Sequence, residues 1–215
     1  MSLSEDTRNK AREIIARYPH SRSALLPMLH LVQAEEGYVS ADGIALCAEE
    51  LALTTAEVSA VATFYTMYHK KPVGKYHIGV CINPGCGILG GDEIWSTLCD
   101  RLGIGNDEVT DDGKISLERI ECQAACTHAP VMTANWEFLD NMTPTSAVDV
   151  VEKLRSGQEV RSTRGPKIPT FKENELVLAG FDDGLTAEGV AADEFMLAGL
   201  NRAKELGQKA PEAKA

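Results

Sequence analysis

Two pairs of cysteines carry the most chemical information in this chain. Cys81 and Cys86 stand in VCINPGCGILGG with four residues between them, and Cys122 and Cys126 stand in IECQAACTHAP with three. Two such pairs allow a disulfide, a redox dithiol, a zinc site or an iron-sulfur site. A chain of 215 residues with 44% hydrophobic content buries a core without needing disulfides. The N-terminus MSLSEDTRNK lacks a basic start followed by an apolar stretch, so no signal peptide is expected. Thiols in such a chain are expected to stay reduced in a cytoplasm, where clustered cysteines bind metal or do redox work.

Spacing separates the remaining chemistries. Structural zinc most often uses a tight two-residue spacing on at least one side, and a thioredoxin-type dithiol wants C-x-x-C. Neither pair has it. Four thiolates in two pairs suit a 2Fe-2S cluster, in which each iron takes two protein sulfurs and two sulfides bridge the irons. Gly85, Gly87, Gly90 and Gly91 let backbone approach such a cluster and aim N–H groups at sulfur, while Pro84 and Pro130 stiffen the loops. A zinc-stapled interaction module, with the same cysteines purely structural, is the rival from another class.

Other candidate ligands read as structural. Cys47 and Cys99 lie among apolar residues of predicted helices and are expected to be buried thiols. His128, two residues past Cys126, is expected to bond backbone or water. His20, His30, His69 and His77 show no ligand spacing. No G-x-G-x-x-G opens a helix after a strand, and no phosphate-binding G-x-x-x-x-G-K-[ST] or nucleophile elbow occurs. No nicotinamide or flavin site is therefore expected on this chain, and no catalytic residue is assigned.

The elements that must position the cysteines follow from periodicity. Residues 1–72 read as a helical domain, with stripes at Ala11, Ile14, Ile15 and Tyr18, at Leu25, Met28, Leu29 and Val32, and at Ile44, Ala45, Ala48 and Leu51. Thr54 and Glu57 form a T-x-x-E capping box before a fourth helix. Stripes this narrow must cover one another, which predicts a small bundle. After the break at Lys71–Gly74, residues 73–160 read as a small α/β domain: KYHIGVC is a strand, 91–102 a helix, ISLERIEC and APVMTANW strands, and Ser146–Leu154 a helix. Each cysteine pair follows a predicted strand, so both are expected at one end of a sheet. Residues 161–215 are rich in Gly, Pro and charge and read as an extended, partly disordered tail, in which Phe171, Leu176, Leu178 and Phe181 could clamp onto another surface.

Charge narrows the partners. With 21 basic and 32 acidic residues the net charge is -11, which repels nucleic acid and anionic lipid alike. No apolar run is long enough to insert in a membrane. The helix-turn-helix look of LALTTAEVSAVATFY is accordingly read as an ordinary capped helix.

These words together, VATFYTMYHKKPVGKYHIGVC, the C-x4-C pair and IECQAACTHAP with C-x3-C, resemble the thioredoxin-like 2Fe-2S subunit of bacterial NADH-quinone oxidoreductase (respiratory complex I), over roughly residues 7 to 158. The resemblance implies a helical N-terminal domain, a thioredoxin-like α/β ferredoxin domain, and Cys81, Cys86, Cys122 and Cys126 as ligands of one 2Fe-2S cluster. It implies a partner subunit that holds FMN and oxidises NADH, single-electron exchange with that flavin, and a place on the cytoplasmic face of the membrane. Related subunits of NAD-dependent formate dehydrogenases and NAD-linked hydrogenases share these motifs.

Overall fold

A computed structural model describes residues 3–185, 188–189 and 193–209. Helices α1 (Glu5–Ala16), α2 (Leu25–Glu36), α3 (Ala41–Leu51) and α4 (Thr55–Phe64) form the N-terminal bundle. The Thr54–Glu57 capping box is present in both directions, satisfying two of the N–H groups that a helix start leaves unpaired. Ala11, Ile14, Met28, Leu29, Val32, Leu46 and Val58 meet in a dry core, as the three stripes require.

The second region is a five-stranded mixed sheet in the order β2-β3-β1-β4-β5. Its strands are β1 (Tyr76–Cys81), β2 (Glu108–Val109), β3 (Ile115–Ile120), β4 (Met132–Ala134) and β5 (Glu137–Leu139). The short β2 and β5 lie outside the three strands expected from sequence; two or three residues carry too little alternation to register as a pattern. Between β1 and β2 come the short turn α5 (Pro84–Cys86) and α6 (Asp92–Leu102); α7 (Pro144–Arg155) follows β5. One sheet face, built from Tyr76, Ile78, Val80, Ile115 and Leu117, is covered by Ile94 and Leu98 of α6 and Ala147 and Val151 of α7. Each aliphatic side chain fully buried there contributes on the order of 1.5–3 kcal/mol. The opposite face carries His77, Gly79 and Cys81 on β1, alternating with the apolar set.

β1 and β3 run parallel, with Tyr76 opposite Ile115 and Cys81 opposite Ile120. That register decides where the chemistry sits. Both strands end level, so the loops carrying the two cysteine pairs leave the sheet at the same edge.

The segment from residue 161 is less loose than its composition suggests. Phe171–Leu178 forms α8, capped by a Thr170–Glu173 box, and Phe171, Asn174 and Glu175 are buried. α8 packs on α2, while Ala179, Leu176 and Phe181 join the core of the helical bundle. The expectation of an extended tail is thus corrected for this stretch: its few apolar residues find a groove between bundle and sheet that no local pattern announces. The α9 helix (Glu194–Glu205) buries no residue. The end of the tail, 210–215, lies outside the described residues. Among the described residues no helix is long and apolar enough to cross a membrane.

Candidate functional site

The first loop leaves β1 at Cys81 and turns at once. Pro84 opens the turn, whose fixed backbone suits a first helical position, and the Gly87 N–H donates to the Asn83 carbonyl at 2.8 Å. Cys86 ends the turn and is buried, as is Cys81. The chain then re-aims through Gly90, at φ 115°, into α6. At Gly91 a Cβ would stand 2.6 Å from the Cys81 carbonyl oxygen and 2.9 Å from that of Cys86. Backbone cannot step aside as a side chain can. Gly91→Ala is therefore expected to cost about 1–3 kcal/mol of stability and to speed cluster loss, read by urea unfolding and by the decay of visible absorbance. Unchanged behaviour would show that the first loop can open around Gly91 without disturbing the site.

The second loop leaves β3 after Ile120. Ala124 takes a left-handed conformation, φ 56°, and its N–H donates to Cys122 Sγ at 3.4 Å. Holding a non-glycine residue there costs on the order of 1 kcal/mol, and the local gain is an amide aimed at sulfur. Cys126 begins a 3-10 turn whose His128 N–H donates to the Ala125 carbonyl. Two ties bind the loops together: the Cys81 N–H donates to the Val131 carbonyl at 3.1 Å, and Asn83 Nδ2 donates to Glu121 Oε2 at 3.1 Å.

All four sequence-predicted thiols gather here. Cys81, Cys86, Ile120, Ala125 and Val131 share one small apolar cluster. Cys122 and Cys126 are exposed, with their sulfurs 3.6 Å apart. Cys86 hydrogen-bonds Cys81 and lies within electrostatic reach of Cys126, which in turn senses Cys81. Burial pushes the Cys86 thiol up to about 11; the Val131 backbone opposes this, and the neighbouring Cys81 adds to it. Cys126 is raised by its hydrogen bond to Cys122 and by the like charge there. Four thiols, all free of disulfides, fit a group that needs four thiolates, and binding it must displace their protons.

The two remaining cysteines lie elsewhere. Cys47 is buried in the helical core, where desolvation pushes its thiol up to about 12, and Cys99 packs beside the sheet core. The His128 ring is held from outside: its Nε2 lies 3.0 Å from Asp193 Oδ2, and Phe195 of α9 stands edge-on at 6.3 Å. One grouping leaves no signal in sequence spacing at all. His69 and His77 come together with Glu118 across the fold.

Comparison with known proteins agrees with this architecture. Residues 11–155 match the family described as thioredoxin-like [2Fe-2S] ferredoxin. The chain is 50% identical over 202 residues to an NADH-quinone oxidoreductase subunit of Mycobacterium tuberculosis, covering 94% of this chain and 80% of the relative. It is 36% identical over 169 residues to NADH-quinone oxidoreductase subunit 2 of Thermus thermophilus, covering 77% and 93%. Among solved structures, an NAD+-reducing [NiFe]-hydrogenase in the air-oxidized state superposes with a TM-score of 0.56 at 20% identity, over 62% of this chain and 23% of that one. That last likeness is one of fold.

Proposed function

The chain belongs to the thioredoxin-like [2Fe-2S] ferredoxin family, and on that premise we propose that it is the electron-transfer subunit of an NADH-quinone oxidoreductase. It carries one 2Fe-2S cluster on Cys81, Cys86, Cys122 and Cys126 and exchanges single electrons with FMN on a partner subunit that oxidises NADH. The observation that carries this reading is the convergence of both thiol pairs on one sheet edge, combined with 50% identity to an NADH-quinone oxidoreductase subunit over 94% of the chain. When bound, the cluster supplies a one-electron couple.

The residues of this chain do the rest. Cys81 and Cys86 would anchor the buried side, and Cys122 and Cys126 the side open to a partner. The Ala124 amide on Cys122 Sγ would stabilise negative charge on that sulfur and so favour the reduced state. Gly91 lets the first loop fold back tightly against the Cys81 and Cys86 carbonyls. Hydride chemistry belongs to the partner, since a cluster of this kind passes electrons singly.

The partner is expected to dock beside the first cysteine loop. Ile88 is 85% exposed and Leu89 61% exposed, an apolar rim that water alone does not favour. Ile88→Asp is expected to weaken association with the flavoprotein by about 10-fold or more, as loss of an interface anchor does, while iron content stays unchanged. Equal affinity in a titration would place the docking face elsewhere. We place the assembly on the cytoplasmic face of the membrane.

The equivalent subunit of an NAD-linked hydrogenase or formate dehydrogenase is the second reading, favoured by the fold shared with the NAD+-reducing hydrogenase. The 50% identity to an NADH-quinone oxidoreductase subunit against 20% to the hydrogenase chain sets it behind. Protein purified anaerobically should hold iron and acid-labile sulfide in equal amounts, about two of each per chain, and give an EPR signal on reduction. Colourless protein with zinc on these cysteines would overturn the reading.

A further inference from the structure

His69, His77 and Glu118 come from three elements: the segment after α4, the start of β1 and the middle of β3. Their ligand atoms all lie within 4.8 Å of one another. His77 Nε2 is 2.8 Å from Glu118 Oε2, and the two imidazole rings stand at 4.6 Å, steeply tilted. Zinc bonds nitrogen and oxygen at about 2.0–2.2 Å, so tetrahedral donors sit about 3.4 Å apart; the His77–Glu118 pair would open slightly to that spacing, and atoms no more than 4.8 Å apart would close to it.

Three further observations make this more than a chance meeting of polar groups. First, His69 Nε2 is buried without a hydrogen-bond partner, which native structures seldom allow. Second, the residue is held in place: the His69 backbone N–H donates to Gln33 Oε1 at 2.7 Å, its backbone carbonyl accepts from the Val39 N–H, and the Trp136 ring lies stacked on the imidazole at 6.2 Å. Third, His77 Nδ1 meets Ser116 Oγ at 3.0 Å, the outer hydrogen bond that commonly fixes a ligating imidazole. Burial, with help from His77, holds the His69 pKa down to about 4, so the ring is neutral and its lone pair free at neutral pH. The Glu118 carboxyl, which burial would raise, is instead held low by its hydrogen bond to His77. One side of the trio opens on a cleft of about 300 Å3 with Asp107 in its lining.

The geometry points to a second metal site: His69, His77 and Glu118 bind a divalent cation with the ligand preferences of zinc, which clamps the helical region onto the sheet. Two imidazoles and one carboxylate are the donor set such a cation prefers, and the cleft leaves room for water as a further ligand. The site is separate from the cysteines. His77 is the second residue of β1 and Cys81 its last, roughly 13 Å further along the strand. The clamp stands or falls independently of what the cysteines hold.

The test uses full-length protein with its cluster intact, incubated anaerobically with zinc sulfate, dialysed, and assayed for zinc and iron by mass spectrometry. The expected result is about one zinc per chain in addition to unchanged iron, with the unfolding midpoint raised by about 5 °C at zinc a hundredfold above Kd. His69→Gln and Glu118→Gln should each lose the zinc and the midpoint rise while keeping their iron; both residues are half-buried, which makes changing them safer than changing the buried His77. Wild-type protein that retains no zinc, zinc retained equally by both variants, or zinc taken up only as iron is lost would each overturn the clamp.

Discussion

Cys122→Ser is expected to abolish the visible colour and the EPR signal of the reduced protein and to lower iron per chain by more than about 10-fold, because even the loss of an outer partner costs metal sites about 10–100-fold. The same result is expected for Cys81, Cys86 and Cys126. A serine oxygen is harder, less polarisable and held on a shorter bond, so it replaces a thiolate poorly at iron. Cys122 is the most informative of the four. It is exposed and belongs to no apolar core, so its replacement should leave folding intact and separate cluster loss from unfolding. The controls are Cys47→Ser and Cys99→Ser, which should keep full iron. Cys47→Ser buries a hydroxyl in the helical core and should cost about 1–3 kcal/mol of stability without touching the cluster. Iron and sulfide assays with circular dichroism on the same samples decide the matter. Full iron in Cys122→Ser, or iron lost in Cys47→Ser with the fold intact, would remove the assignment.

The second large effect concerns a carboxylate outside the cysteine site. Glu175 of α8 has no exposed side-chain surface and joins three parts of the molecule. Its Oε2 lies 2.7 Å from His30 Nδ1 and accepts from Gln33 Nε2 at 2.8 Å, both on α2; its Oε1 accepts from Trp136 Nε1 at 3.2 Å, in the turn between β4 and β5. Glu175→Ala strands the His30 and Trp136 donors, while Gln33 keeps the Met67 carbonyl. Each stranded buried donor costs about 1–3 kcal/mol, which sums to about 2–5 kcal/mol and a midpoint lower by roughly 5–15 °C for a chain of this size. Glu175→Gln retains one acceptor oxygen and should lose less than half as much. Limited proteolysis supplies an independent readout. With its anchor gone, α8 should be cut well before the sheet. A Glu175→Ala midpoint within a degree of wild type would show that α8 docks through Phe171 and its apolar neighbours alone.

The two experiments probe regions of different legibility. The cysteine site is readable from sequence because its information is local: each pair spans a few residues, each follows a strand of alternating pattern, and the helix between them, α6, carries an apolar stripe that ends at Gly103 in the left-handed conformation. The same T-x-x-E logic that marks α4 at Thr54 recurs as Thr170 to Glu173 before α8, a signal present in the sequence but outweighed by the Gly, Pro and charged residues around it. Glu175 gives no such hint, because an acidic residue at a buried position looks like any other until its partners arrive.

What the sequence determined by itself was the set of thiols, their spacing, the order of helices and strands, and through these the family. The tertiary structure alone decided the parallel register in which β1 and β3 end level, that α8 closes the seam between bundle and sheet, and that His69, His77 and Glu118 share one point. The reason is the range over which each interaction is encoded. Periodicity and capping act between neighbours three or four positions apart, whereas His77 and Glu118 are separated by 41 positions and His30 and Glu175 by 145. Contacts of that span leave no periodic trace along the chain; they exist only once packing of the apolar faces has fixed which polar groups must share the space left between them.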